Sequence, residues 1–275
     1  MKPEHTFTTT SADGTKLTLH RWNEEGTKNI FLIHGYVGHG NRFQDLAGSL
    51  VQQGYRITAL DFRGHGESEG KRGDLDMWIR YQEDILAAIA TIRAPFIAIA
   101  QGSGALALLS TMQGSITPPL KGIVLANPLF GVLNPPSLIQ KLILRVAKRL
   151  PFTRCTSHRF RWEQLAFDPS VVQSYQSDPL CFSKTSVRFI QSTLCAQSSV
   201  NKHAQFYQSP LLLLLSSNDS IADTQQTLHF FDRYAGTRTQ KTYSKSAHLL
   251  LEDNEKEQVF ADILEWLNAN ISFAK

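Results

Sequence analysis

The chain has 275 residues, 42% of them hydrophobic and 19% charged, with a formal net charge of +4. That length and apolar content suit one large domain or a domain carrying an insertion, and the low charge argues against disorder. The modest positive charge comes with no basic, aromatic-interleaved motif. It points away from nucleic acid, while an anionic membrane surface or a phosphate-bearing substrate remains compatible with it.

Residues 1–17 have no apolar signal-peptide core and read as a first strand. No apolar run approaches a membrane span, the longest dense one being Leu211 to Leu215. The three cysteines, Cys155, Cys181 and Cys195, are odd in number and lack metal-ligand spacing. The expectation is a cytoplasmic protein with reduced thiols and no metal or other cofactor.

His5 to Thr10 and Lys16 to Trp22 are Thr-rich β segments, and the Asp13-Gly14 between them is a hairpin signal. Asn29 to His34 is a short apolar strand. Asn41 to Gln53 has helical spacing, and Gly54 can end it. Tyr55 to Leu60 is the next strand, followed by the loop Asp61 to Gly70. Asp76 to Arg93 spaces Met77, Ile79, Ile85, Leu86, Ile89 and Ile92 as a helix. Phe96 to Ala100 is a wholly apolar strand, Ser103 to Met112 a helix, and Gly122 to Ala126 another strand.

Short apolar strands alternating with helices predict a parallel sheet covered on both faces. The rhythm breaks at Asn127-Pro128. It resumes with strand Pro210 to Ser216, helix Asp223 to Tyr234, strand Arg238 to Tyr243 and helix Asn254 to Asn270. Residues 1–130 and 209–275 therefore read as one discontinuous core, and 131–208 as an inserted, mainly helical cap.

In open α/β sheets, ligands bind beyond the carboxyl ends of the strands. Four such ends here carry reactive residue types: His34-Gly35-Tyr36, Gly102-Ser103-Gly104, Asp219 and His248. An acid after the penultimate strand and a histidine after the last follow the chain order nucleophile, acid, base of an α/β-hydrolase triad. In that chemistry the histidine takes the nucleophile's proton, and the carboxylate fixes its tautomer and supports the imidazolium.

With these residues the chain resembles the monoacylglycerol lipase and bacterial lysophospholipase branch of the α/β-hydrolases. The matching stretches are Ile33 to Phe43 (oxyanion loop), Asp61-Phe62-Arg63-Gly64-His65-Gly66-Glu67-Ser68 (the D-x-R-G-H-G-x-S signature), Ala126 to Gly131 with Arg161-Trp162 (cap), Ser216 to Asp223 (acid loop) and Ala247 to Glu252 (histidine loop). The resemblance implies an α/β-hydrolase fold with a mostly parallel central sheet and a helical cap. It implies hydrolysis of a lipid ester, a lysophospholipid or monoacylglycerol, with Asp219 and His248 catalytic. The backbone N–H groups of Tyr36 and Ser103 would form the oxyanion hole. His34, His39 and His65 read as structural, with Gly64 and Gly66 supplying unusual backbone angles.

The elbow departs from the family spelling, small-His-Ser-x-Gly-Gly. One register sets Ala100 to Ala105 against it, which puts Gly102 at the nucleophile position and leaves no hydroxyl there. The other makes Ser103 the nucleophile, but places Gln101 two residues before it, where the tight turn wants Gly or Ala. The first register is sterically better; in it Ser103 caps the following helix. If Gly102 stands where serine would, the alternative to a hydrolase is a catalytically silent protein that binds a lipid or protein partner.

Ser137 to Leu150 is amphipathic, with Leu138, Leu142, Val146 and Leu150 on one stripe and Lys141, Arg145, Lys148 and Arg149 opposite. With Arg154, His158, Arg159 and Arg161 it makes the cap locally basic. That pattern fits a cap helix packed on the core. It also fits peripheral contact with membrane lipid at the inner membrane face.

Overall fold

The structure is a computed structural model describing residues 1–92, 94–114, 119–137, 156–157 (backbone) and 161–273. Its centre is an eight-stranded sheet in the order β1-β2-β4-β3-β5-β6-β9-β10. The strands are β1 His5–Thr10, β2 Lys16–Trp22, β3 Lys28–Ile33, β4 Tyr55–Leu60, β5 Phe96–Gln101, β6 Leu120–Ala126, β9 Leu211–Ser216 and β10 Arg238–Tyr243. β1 and β2 form an antiparallel hairpin, and β2 runs antiparallel to β4. The remaining neighbours are parallel. Two two-residue strands, β7 Thr156–Ser157 and β8 Lys184–Thr185, pair outside this sheet.

The apolar runs become central strands because both of their faces are buried. Ile30, Leu32, Ile97, Ile99, Leu212 and Leu214 face one core. Their alternates Phe31, Ile33, Ala98, Ala100, Leu211 and Leu213 face the other. Helices α1 (Gln44–Val51) and α7 (Lys256–Asn270) cover the first face through Leu46, Leu50, Val259 and Ile263. Helices α2 (Ile79–Ala90), α3 (Ser103–Thr111), α5 (Val187–Lys202) and α6 (Thr224–Arg233) cover the second. α4 (Pro169–Ser177) is N-capped by Asp168, whose side chain accepts from Ser170 N.

Two sequence expectations change. α2 begins at Ile79 rather than Asp76, and Met77 and Ile79 are 49% and 46% exposed. They fit the helical spacing but lie off the face that α2 buries. Ser103 does not cap α3: the N-cap position is Gly102, and no side chain caps it. The amphipathic stretch from Leu138 to Leu150, with Lys141, Arg145, Lys148 and Arg149, lies outside the described residues, as do Arg154, Cys155, His158 and Arg159. The described residues of 131–208 add no strand to the main sheet. α5 nonetheless belongs to its core, with Phe189, Ala196 and Val200 packed in the same cluster as Leu106 and Leu109 of α3. Among the described residues, no helix is long and apolar enough to cross a membrane.

Candidate active site

The β5–α3 turn puts one residue in a backbone conformation that only glycine adopts easily. Gly102 has φ +54° and ψ −121°. The turn is tight because α3 starts directly against the end of β3. A Cβ on Gly104 would lie 2.7 Å from Ile33 O and closer still to His34 O. The Gly102 Cα therefore stands out from the sheet edge and faces the ring of His248. A side chain begun there would place its Cβ 3.1 Å from His248 Nε2.

His248 Nδ1 lies 2.7 Å from Asp219 Oδ2, and the Asp219 side chain is 1% exposed. A carboxylate only accepts, so Nδ1 carries a hydrogen, and in the neutral ring the lone pair is on Nε2, facing Gly102. The other carboxylate oxygen, Oδ1, accepts from Ile221 N and Ala222 N at 2.8 and 3.0 Å. Those two bonds fix the plane of the acid. The structure thus brings Asp219, His248 and Gly102 to one place, on the ends of β9, β10 and β5. Ser103 follows as the first residue of α3, 5% exposed. By position its N–H is one of the helix's unpaired first-turn donors.

The loop after β3 is held from behind by histidines. His34 Nε2 accepts from Phe62 N at 3.1 Å, so its Nδ1 donates to Gly35 O at 2.7 Å. Burial holds His34 neutral, with its pKa down to about 3. His65 Nε2 sits 2.6 Å from Tyr36 O and its Nδ1 3.0 Å from Arg63 O; burial lowers it to about 4 despite these two carbonyls. Asp61, buried at the end of β4, accepts from Gly40 N at 2.5 Å and Glu67 N at 2.9 Å. Burial opposes its charge, but the hydrogen bond and charge of His20 beside it bring its pKa to about 2. A Cβ on Gly66, at φ +51°, would overlap that carboxylate. The D-x-R-G-H-G-x-S segment is thus a brace behind the loop after β3: Asp61 holds Gly40 N and His65 meets the Tyr36 carbonyl.

His248, Ser103, Tyr36 and His34 line a cavity of about 840 Å³, walled further by Leu129, Val132, Leu165, Val187, Phe189 and Leu249 among others. A larger cleft of about 1070 Å³ lies between α5 and α6, but His248 lines the smaller cavity and not this one. Residues 24–257 match the family described as serine aminopeptidase, S33.

The chain belongs to this S33 family of α/β-hydrolases.

The S33 match is echoed by single relatives. Mouse monoglyceride lipase is 29% identical over 95% of this chain and 88% of its own. An uncharacterised abhydrolase domain-containing protein of Dictyostelium discoideum is 26% identical over 96% of this chain, which spans only 29% of that protein's length. The crystal structure of the Paleococcus ferrophilus monoacylglycerol lipase superposes with a TM-score of 0.82 at 23% identity, covering 92% of this chain and 99% of that one. The monoacylglycerol-lipase-like α/β-hydrolase fold expected from the motifs is the fold observed.

Three features of this S33 site escape a reading of the sequence. Asn127, at the end of β6 with φ +41°, accepts from Ser216 N and donates to the carbonyls of Ala247 and His248 at 3.0 Å each. It ties the acid strand to the histidine loop; its one visible signal is an Asn, tolerant of that φ, directly after an apolar strand. Arg42 Nη2 pairs with Glu252 Oε2 at 2.8 Å, and Tyr175 donates to Glu252 Oε1 at 2.5 Å, joining the loop after β3, the loop of His248 and α4. Asp253 accepts from Phe167 N, Asp168 N and Ala247 N, and Leu249 N donates to Leu165 O.

His39, Asp178 and Cys181 also gather their polar atoms within 4.8 Å. The Arg42 guanidinium lies 3.8 Å from Asp178, and burial pushes the Cys181 thiol up to about 12. With a cation already beside the carboxylate and a neutral thiol, the trio acts as a clasp between the oxyanion loop and the segment after α4.

Proposed function

We propose that the chain is a lipid-ester hydrolase of the α/β-hydrolase type, for a monoacylglycerol or lysophospholipid, whose nucleophile position is held by Gly102. The carrying observation is the Asp219–His248 pair, with Nε2 3.1 Å from where a side chain on Gly102 would begin, at the wall of an 840 Å³ cavity. In this reading Asp219 orients His248, and His248 moves the proton. Tyr36 and Ser103 N–H groups hold the developing oxyanion. The apolar cavity wall takes the acyl chain, and the insertion 131–208, whose α5 also packs on the core over α3, serves as the cap. The lipid assignment draws on the relatives, which include monoglyceride and monoacylglycerol lipases, and on the apolar lining. Contact of the basic cap with membrane lipid belongs to the same proposal.

The facing of the Gly102 Cα toward His248 supports Gly102, rather than Ser103, as the nucleophile position. A serine at 102 would attack the ester carbonyl and form an acyl-enzyme. Gly102→Ser should therefore gain monoacylglycerol hydrolysis and covalent labelling by a fluorophosphonate, and a folded Gly102→Ser variant with neither would sink the reading. Labelling of the unsubstituted chain that disappears in Ser103→Ala would instead assign the nucleophile to Ser103. Equal rates for acetyl and long-chain esters would count against an acyl-binding cavity. The missing hydroxyl at Gly102 favours a second reading, a silent protein that binds its lipid without turning it over.

A further inference from the structure

The place where a serine side chain would stand is framed by groups that suit a water molecule. A Cβ on Gly102 would lie 3.1 Å from His248 Nε2 and 3.7 Å from Cε1; apart from the adjoining residues, its next neighbour is Gly35 Cα at 3.8 Å. The residues on either side of Gly102, Gln101 and Ser103, line the 840 Å³ cavity together with Gly35 and His248. Gln101 is 3% exposed, and its amide Nε2 has no hydrogen-bond partner among the described residues. Beside a neutral His248, the Nε2 lone pair and the open space at Gly102 suit one water molecule, and Gln101 Nε2 is an unpaired donor elsewhere in the same cavity lining.

We propose that the chain as it stands hydrolyses esters in one displacement, using water where its relatives use a side-chain hydroxyl. The inference rests on the ester-hydrolase reading of this cavity. His248 Nε2 takes a proton from water as the water oxygen bonds to the ester carbonyl carbon. The carbonyl π pair moves onto its oxygen, facing the N–H groups of Tyr36 and Ser103. On collapse the C=O re-forms, the C–O bond to the alcohol breaks, and the proton on Nε2 passes to the departing alkoxide. Acid and alcohol leave together, and no acyl-enzyme forms.

The size of the effect is bounded on both sides. Serine hydrolases stripped of a triad member retain about 10³–10⁴-fold acceleration from the oxyanion hole and binding alone. General-base assistance adds about 10²–10⁴-fold where the base is in place. The discriminating substitution is Gly102→Ala, which adds no nucleophile but sets a methyl group where the water would sit. Hydrolysis of p-nitrophenyl octanoate should be slow but above buffer in the unsubstituted chain, with no pre-steady-state burst and no fluorophosphonate label. Gly102→Ala and His248→Ala should each lower that rate at least about 10-fold. Binding of a non-hydrolysable monoalkyl glycerol ether and the melting temperature serve as controls for an intact cavity.

Rates unchanged in both variants would overturn the proposal, as would a burst, a label, or a rate equal to buffer. Gly102→Ser separates the two levels of inference. An active Gly102→Ser beside an inert Gly102 chain discards the water mechanism and keeps the ester-hydrolase reading. An inactive, folded Gly102→Ser discards both.

Discussion

Acid should weaken this fold through the same histidine that steadies the loop after β3. His34 is 2% exposed and held to a pKa of about 3 by burial. Its Nε2 already accepts from Phe62 N, so a proton arriving there meets a donor instead of a lone pair. The unfolded chain has no such constraint and takes up the proton near 6.5. The folded value lies below the unfolded one, so the unfolded state carries more protons between pH 6.5 and about 3. Stability is whole above 6.5 and declines as the pH falls through that window. At pH 5.0 the gap from 6.5 is about 1.5 units, or about 2 kcal/mol from His34. That corresponds to roughly 4–8 °C in Tm for a chain of this size class. The assay is urea unfolding of the unsubstituted chain and His34→Asn at pH 7.5 and pH 5.0. The variant should start less stable but lose about 2 kcal/mol less on acidification. Identical losses in the two proteins, or an NMR titration of His34 near 6.5, would refute the argument.

Three further outcomes follow from the packing around the site. Asn127→Ala removes three buried hydrogen bonds; it should cost about 2–4 kcal/mol in chemical denaturation and, in a Gly102→Ser background, lower kcat more than KM rises. Glu252→Gln leaves the Arg42 guanidinium without its closest carboxylate, Asp178 remaining at 3.8 Å, so a loss of about 2–3 kcal/mol in thermal unfolding is expected. Gly104→Ala drives a methyl group into the carbonyls of Ile33 and His34 and should cost about 3 kcal/mol, read as a lowered urea midpoint at unchanged slope.

Much of the fold is legible because its central strands are buried on both faces, which makes them short unbroken apolar runs with loops at each carboxyl end. The reactive residues stand in those loops, so strand ends alone bring Asp219, His248 and the 102–104 turn into view. The start of α2 is not legible in this way. Met77 and Ile79 are apolar yet exposed, and periodicity cannot tell a residue that is buried from one that merely keeps the spacing. The elbow register rests on which small residue abuts β3. In the structure Gly104 meets the His34 and Ile33 carbonyls, a contact visible only once α3 is laid against β3. Asn127, Arg42–Glu252–Tyr175 and Asp253 act across separations of up to 210 residues, and no local pattern marks such partners. α5 escapes for a similar reason: its apolar residues read as cap, whereas Phe189, Ala196 and Val200 complete the core over α3.

The tethers from Asp253 and Leu249 to residues 165–168 carry a mechanical consequence. The carboxylate that fixes Ala247 N also fixes Phe167 N and Asp168 N, and Leu249 N is anchored on Leu165 O. The wall of the cavity and the backbone on either side of His248 are thus one lever. A guest that pushes residues 165–168 outward pulls on the imidazole's own loop, so in the proposed hydrolase a badly fitting acyl chain would misalign the base. Under that proposal fit and reactivity become a single coordinate, and selectivity among lipid esters would be set by how little each one bends that lever.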